Sequence, residues 1–203
     1  MFDDDKPHKH KAHNIVAKTM LSMVLLTAGF NVAAKPVNQE RHLSLYNLHT
    51  EETLETTFWK NGKYNQGQLK AVSYFLRDYR TGQRHAVDKR LLNTLFTIQQ
   101  QIGTQYPDVK PVFQVISGYR TPDTNDMLRE RGDKVAKKSQ HSRGKAIDIR
   151  VEGVPLEALR DIAWCLQKGG VGYYPEEHNN FVHVDVDRVR FWPAQDQKWK
   201  CMP

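Results

Sequence analysis

The chain has only two cysteines, Cys165 and Cys201, among its 203 residues. Two cysteines are too few for a disulfide scaffold, so the fold must rest on a hydrophobic core. Cys165 lies in an apolar segment with helical spacing, which favours a small buried side chain. In an oxidising compartment the two cysteines would instead be able to pair. Both interpretations stay open at the level of sequence.

Long runs of Lys and Arg are absent, and so is any signature of a nucleic-acid-binding module. Basic residues nevertheless exceed acidic residues by 30 to 23, which gives a formal net charge of +7. This balance favours an anionic partner, such as an acidic polymer, without identifying it. The hydrophobic share of 39% and the charged share of 26% are typical of a globular domain. We therefore expect one domain and no nucleic-acid partner.

The apolar stretch at residues 20–30 is too short to span a membrane comfortably. It follows a basic opening and precedes the small residues at 32–34. This pattern predicts a signal peptide, residues 1–34, that is cleaved near Ala34. Residues 35–203 would then form a periplasmic domain with no stable membrane span. A retained signal anchor is the alternative.

Alternation of polar and apolar residues predicts the strands of the domain. The predicted strands cover residues 41–47, 51–59, 112–116, 146–151 and 181–187. Apolar residues at helical spacing predict helices over residues 69–79, 91–103, 122–131 and 156–166. The first two strands are expected to form a hairpin. This order predicts an α+β domain, with a small antiparallel or mixed sheet and helices packed on one side.

Three side chains of the kind that bind zinc occupy suggestive positions. His141 and Asp148 are seven residues apart, and Gly144 between them allows a tight turn. His183 lies on the polar face of the last predicted strand. Two imidazoles and a carboxylate can hold zinc and leave a fourth position open for water. Taken singly, each residue has a plainer interpretation, a packed or surface histidine or an aspartate at a sheet edge, and spacing alone leaves both open.

Two motifs in this region resemble a known superfamily. The segment His141-Ser-Arg-Gly-Lys-Ala-Ile-Asp148 resembles the H-x-x-G-x-A-x-D element of the zinc D-Ala-D-Ala peptidases (peptidase family M15), whose superfamily includes the hedgehog domain. Ser117-Gly-Tyr-Arg120 resembles the arginine motif that precedes this element there. Residues 169–174 and 181–185 are similar to a narrower group, the MepK-like murein endopeptidases. The resemblance extends over most of the chain, from near Arg41 to near Trp192.

The resemblance implies a hedgehog-like α+β fold, export, and hydrolysis of peptidoglycan cross-links. It also implies one zinc per chain, with His141, Asp148 and His183 as the ligands. Arg120 is expected to hold the scissile carbonyl oxygen or a substrate carboxylate, because a guanidinium binds such groups through two N–H donors. A surface ion pair is the plainer interpretation of Arg120.

Further residues are expected around the substrate. Ser139 is a candidate hydrogen-bond partner of the substrate or of a ligand, and a turn serine is its plainer interpretation. Tyr173 is a candidate substrate-binding residue that would line the cleft, as would its neighbour Tyr174. Packing in the core or at the rim would explain both tyrosines equally well.

The chain departs from several relatives at the catalytic base. Those relatives have a glutamate three residues before the last histidine ligand, and this chain has Asn180 there. Asp185, two residues beyond His183 on the same strand face, is the leading candidate for the general base or for a residue that supports the ligand. His178 is the alternative base, and the loop acids at 176 and 177 are further candidates.

Two rival functions follow from this departure and from the superfamily. One is a zinc-containing module that binds the cell wall without cutting it. The other is a carboxypeptidase that trims stem peptides instead of cutting cross-links. We expect peptidoglycan as the partner and a monomeric protein in each case.

Overall fold

The computed structural model describes residues 40–133, 135–176, 180–193 and Cys201. The predicted signal peptide, residues 1–34, lies outside the described residues, and so does His178. In the part of the chain that the structure describes, no helix is long and apolar enough to cross a membrane.

In these described ranges, one mixed sheet of eight strands organises the fold, in the order β3-β2-β1-β4-β5-β7-β6-β8. The strands are β1 (Arg41–Asn47), β2 (Thr53–Lys60), β3 (Lys63–Tyr64), β4 (Phe113–Ser117), β5 (Ala146–Val151), β6 (Gly170–Tyr174), β7 (Phe181–Asp185) and β8 (Arg190–Trp192). The β1/β4 and β6/β8 pairs are parallel, and the other neighbours are antiparallel. The predicted hairpin and mixed sheet are confirmed, whereas β3, β6 and β8 were not expected from the sequence.

Four α-helices lie in the described residues and accompany the sheet: α1 (Gln66–Phe75), α2 (Lys89–Gln105), α3 (Pro122–Glu130) and α4 (Leu156–Cys165). Side chains cap three of them, with Asn65, Asp88 and Thr121 each accepting a backbone N–H of the first turn. The first helix ends at Phe75, earlier than the spacing predicted. The chain turns at Asp78 instead, whose N–H donates to the carbonyl of Gln83.

The hydrophobic core lies between one face of the sheet and helices α1, α2 and α4. Alternate residues of the central strands point into it, including Leu43, Leu45, Phe113, Ile147 and Ile149, all of them fully buried. This arrangement confirms the predicted α+β class with helices on one side. The residues between these positions lie on the opposite face of the sheet, which carries the polar side chains.

Cys165 at the end of α4 forms a disulfide with Cys201. The interpretation of Cys165 as a buried free thiol is therefore wrong. The bond joins positions 36 residues apart and ties the chain beyond β8 to α4.

Candidate metal centre and active site

His141 begins a short 3₁₀ turn, His141–Arg143, just before β5. Gly144 ends this turn in the left-handed conformation at φ +63°, and its N–H donates to the His141 carbonyl. A Cβ at Gly144 would collide with the carbonyl oxygen of Ala86, so both the conformation and the space require glycine. The turn buries His141, whose Nδ1 lies 2.7 Å from the Gly118 carbonyl oxygen.

Asp148 and His183 face each other across the antiparallel pair β5/β7. His183 Nδ1 lies 2.8 Å from Asp148 Oδ1 and 3.1 Å from His141 Nε2. His141 Nε2 lies 3.3 Å from Asp148 Oδ1. The three predicted ligand residues are therefore brought together on the side of the sheet opposite the hydrophobic core, and all three are buried.

The electrostatics of the three residues are those of a coupled, buried cluster. Burial alone would raise the pKa of Asp148, but the two imidazoles hold the pKa of that carboxyl well below its usual range. Burial lowers the pKa of His141, and its interaction with Asp148 opposes that shift. Burial would also lower the pKa of His183, yet hydrogen bonds with Asp148 and Asp185 raise it. An anionic carboxylate beside imidazole nitrogens is the result.

These donors suit a zinc ion. The Gly118 carbonyl can only accept, so His141 carries its hydrogen on Nδ1 and turns the bare Nε2 toward the cluster. His183 likewise turns its Nδ1 toward Asp148 and His141. Nitrogen and oxygen ligands placed 2.0–2.1 Å from a tetrahedral zinc stand roughly 3.3 Å apart, close to the separations seen here. The residues present therefore fit the metal that the resemblance implies.

Asp185 lies behind His183, on the far side of its ring from the cluster. Its Oδ2 is 3.0 Å from His183 Nε2, and its side chain is completely buried. The carboxylate also accepts hydrogen bonds from the backbone N–H groups of Gly170 and Asp187 and from both terminal nitrogens of Arg190. Burial would raise the pKa of Asp185, but these partners, His183 first, hold it well below its usual range. Such contacts fit support of the ligand and do not fit a base that reaches the substrate.

Arg120 follows β4 and approaches the cluster from a different side. Its Nη2 donates to Ser139 Oγ over 3.3 Å, while its buried Nε has no hydrogen-bond partner among the described residues. Burial lowers the pKa of the guanidinium and the nearby Asp148 opposes this, so the group stays cationic. A largely buried cation with unused donors is suited to bind an oxyanion or a carboxylate.

Ser139 connects Arg120 with the ligand turn. Its Oγ accepts both from Arg120 Nη2 and from the His141 backbone N–H, the latter over 3.2 Å. These two contacts use the acceptor capacity of the hydroxyl. Ser139 therefore links Arg120 to the turn that begins at His141, and its own O–H makes no hydrogen bond among the described residues.

The chain matches a family model described as peptidoglycan L,D-endopeptidase MepK over residues 35–192. It belongs to the MepK family. The Escherichia coli K12 protein named peptidoglycan L,D-endopeptidase MepK is 41% identical over 169 residues, which cover 83% of this chain and 88% of that protein. The Shigella flexneri protein of the same name gives the same values. A Haemophilus influenzae protein, named probable peptidoglycan L,D-endopeptidase MepK, is 41% identical over 152 residues, or 75% and 78% of the two chains. No solved structure matches the chain significantly.

Tyr173 does not lie in the metal site of this MepK family member. It points to the core side of β6, where its hydroxyl donates to Glu157 Oε1 over 2.6 Å and Arg160 lies over its ring. Burial and the bond to Glu157 raise the pKa of Tyr173 to about 12. Tyr174, on the opposite face of β6, shares the face of His183 and interacts electrostatically with Asp148 and Arg120. Of the two tyrosines expected to line the cleft, Tyr173 packs in the core, its plainer interpretation, and Tyr174 stays the candidate.

Three residues of the site were not anticipated from the sequence. Asp78 is buried and accepts the N–H and the hydroxyl of Thr121, the residue after Arg120. Arg190 and Trp192 of β8 reach Asp185 and His183. The alternation of Arg190 and Trp192 around Phe191 was the available signal, but their partners depend on the pairing of β8 with β6.

Proposed function

We propose that this chain is an exported zinc metallopeptidase that cleaves L,D peptide bonds in the cross-links of peptidoglycan. The observation that carries the proposal is the convergence of His141 Nε2, Asp148 Oδ1 and His183 Nδ1, whose ligand atoms all lie within 4.8 Å of one another. The family match supports a peptidase that acts on peptidoglycan, and the names of the relatives supply the L,D-endopeptidase class.

The three ligand residues would hold one zinc ion. When bound, zinc supplies a Lewis acid for the scissile carbonyl and a nucleophile at neutral pH. Arg120 would bind the negative charge that develops on the carbonyl oxygen, because it interacts electrostatically with Asp148, its buried Nε has no partner among the described residues, and its charge is permanent. Ser139 would hold Arg120 and the backbone of His141 in a fixed position relative to each other, because its Oγ accepts a hydrogen bond from each.

Proton transfer needs a group that can reach both the attacking water and the leaving amine. Asp185 is buried behind His183 and already accepts five hydrogen bonds or close contacts, so we assign it to ligand support. His178, the alternative candidate, therefore becomes our proposal for the base; in the sequence it lies between β6 and β7, two residues before Asn180.

The net charge of the chain supports the substrate assignment, in addition to its similarity to the MepK proteins. The peptides of peptidoglycan carry free carboxylates, and the net charge of +7 would attract them. Cleavage of a cross-link places this activity outside the cytoplasm, which agrees with the signal peptide that residues 1–34 predict. We therefore assign the protein to the periplasm.

Digestion of purified sacculi tests this function. The purified protein should convert the cross-linked muropeptides of the sacculi into monomeric muropeptides. A chelator should stop the reaction, and added Zn²⁺ should restore it. His141→Ala should lose both bound zinc and activity. The matched control is His42→Ala. His42 is an exposed histidine of β1 that pairs with Glu55 of β2, away from the metal site.

The products separate the rival functions. Loss of only terminal residues from stem peptides would indicate a carboxypeptidase. Zinc binding and sacculus binding without any new product would indicate a binding module. Full zinc occupancy in both His141→Ala and His183→Ala would refute the metal site itself.

A further inference from the structure

Strand β8 runs behind the metal site. It pairs in parallel with β6, with Gly170 opposite Arg190 and Gly172 opposite Trp192. On its other edge β6 pairs with β7, where Gly172 lies opposite His183. Side chains of β8 therefore reach β7 by passing over a glycine of β6.

The two glycines are necessary for this crossing. A Cβ at Gly172 would lie 2.5 Å from Cε2 of the Trp192 ring. A Cβ at Gly170 would lie 2.5 Å from Asp185 Oδ2 and 2.7 Å from Arg190 Nη1. Packed carbon atoms do not approach so closely, so any larger residue would displace the β8 side chains.

The guanidinium of Arg190 donates two hydrogen bonds to the carboxylate of Asp185. Nη1 donates to Oδ1 over 3.1 Å and Nη2 donates to Oδ2 over 2.6 Å. Two parallel bonds fix the plane of a carboxylate, which one bond would leave free to rotate. The same Oδ2 contacts His183 Nε2, so the orientation of the carboxylate sets that of the imidazole.

Trp192 limits the imidazole from another side. Its ring centroid lies 5.0 Å from that of His183. Its indole N–H donates to the hydroxyl of Tyr174 over 2.6 Å, which fixes the indole in turn. His183 is therefore held by a hydrogen bond at Nε2 and by the tilted indole ring beside it.

We propose that Arg190 is a positioning residue of the metal site, which holds Asp185 so that the His183 ring presents Nδ1 to the metal. This inference rests on the proposed zinc site. Arg190 acts through Asp185 and His183 and touches no substrate. Its contribution is orientation: a ligand held in place in advance binds metal more tightly than one that must be ordered on binding.

Zinc affinity tests the inference in the full chain. Competition with a chromogenic chelator should show zinc binding about 10- to 100-fold weaker in Arg190→Ala than in the wild type, the usual range for loss of a group behind a metal ligand. Arg190→Lys should lose less, because it keeps the charge and one donor but not the fork. Arg188→Ala is the matched control, since Arg188 is exposed two residues earlier in the same segment. It should bind zinc like the wild type.

A second measurement works on the metal-free protein. Nitrogen-15 NMR should detect a slowly exchanging proton on His183 Nε2 in the wild type and in Arg188→Ala, and fast exchange in Arg190→Ala. If the wild type binds no zinc, the proposed function fails, while this comparison still decides the role of Arg190. An Arg190→Ala protein with wild-type zinc affinity and an unchanged Nε2 proton overturns the inference. Loss of the fold in both the Ala and Lys variants, seen by circular dichroism, would make Arg190 a structural residue and also overturn it.

Discussion

Replacement of Arg120 by alanine should separate catalysis from stability. The side chain makes one long hydrogen bond, to Ser139 over 3.3 Å, and its buried Nε has no partner among the described residues. Loss of that bond removes about 1 kcal/mol, and relief from burial of a poorly paired cation offsets part of it. We therefore expect the free energy of unfolding to change by less than about 1 kcal/mol, or roughly 2–4 °C in melting temperature for a domain of this size.

The effect on activity should be far larger. A donor that binds the developing oxyanion typically contributes about 2.7–4 kcal/mol, which corresponds to roughly 10²–10³ in turnover. Arg120→Lys should also be impaired, because an ammonium keeps the charge but not the planar pair of donors. Zinc content should stay at the wild-type level in both variants, since Arg120 is not a ligand.

Initial rates on a purified cross-linked muropeptide, together with thermal unfolding of the zinc-loaded proteins, measure both effects. Arg143→Ala is the control, because Arg143 belongs to the same ligand turn but is exposed. A folded Arg120→Ala that cuts at the wild-type rate would refute the oxyanion role. Unfolding of that variant would show instead that Arg120 is a structural residue.

Further predictions concern the groups around this centre. Tyr173→Phe should lower the free energy of unfolding by about 1 kcal/mol and leave turnover intact, whereas Tyr174→Phe should reduce turnover. Thermal melts and sacculus digestion measure both effects, and lower turnover in Tyr173→Phe but not in Tyr174→Phe would contradict this assignment. Burial would raise the pKa of Asp78, but hydrogen bonds from Thr124, Thr121 and Arg80 hold it below the usual range of an aspartate. Its stabilisation is therefore present at neutral pH and is lost as the pH falls through the lowered folded-state value. Asp78→Asn should lose about 1–3 kcal/mol at neutral pH and show a weaker acid dependence in urea unfolding at a series of pH values. Cys165→Ser opens a loop of 36 residues, so we expect a loss of about 4 kcal/mol in the same unfolding assay; a wild-type midpoint would contradict this.

The cluster of the three candidate ligand residues could be anticipated from the sequence, because the place of each one depends on local pattern. Alternation within residues 181–187 places His183 and Asp185 on one strand face, and the motif of His141 to Asp148 includes its own turn glycine. The β5/β7 pairing then brings Asp148 opposite His183, as two polar faces of neighbouring strands should meet.

The roles of Asp185 and Tyr173 were not predictable in the same way. Strand alternation gives the face on which Asp185 lies, but not which nitrogen of His183 it meets, because that depends on the rotation of the ring. The β6 segment contains three glycines between residues 169 and 172, so it shows no alternation of polar and apolar side chains. Only its register with β7, Gly172 opposite His183, reveals that Tyr174 and not Tyr173 shares the ligand face.

The supports of the site share a property that explains why sequence reasoning missed them. Thr121, the residue after Arg120, is held by Asp78, which lies 43 residues before it, and His183 is held by a strand whose place depends on two glycines of β6. Neither support is part of a ligand motif, yet each one orients a group that the motif supplies. A chain that kept His141, Asp148, His183 and Arg120 but lost these contacts would have the ligand set without the geometry. The chemistry that we propose for this site therefore depends on sheet register as much as on the identity of the candidate ligands.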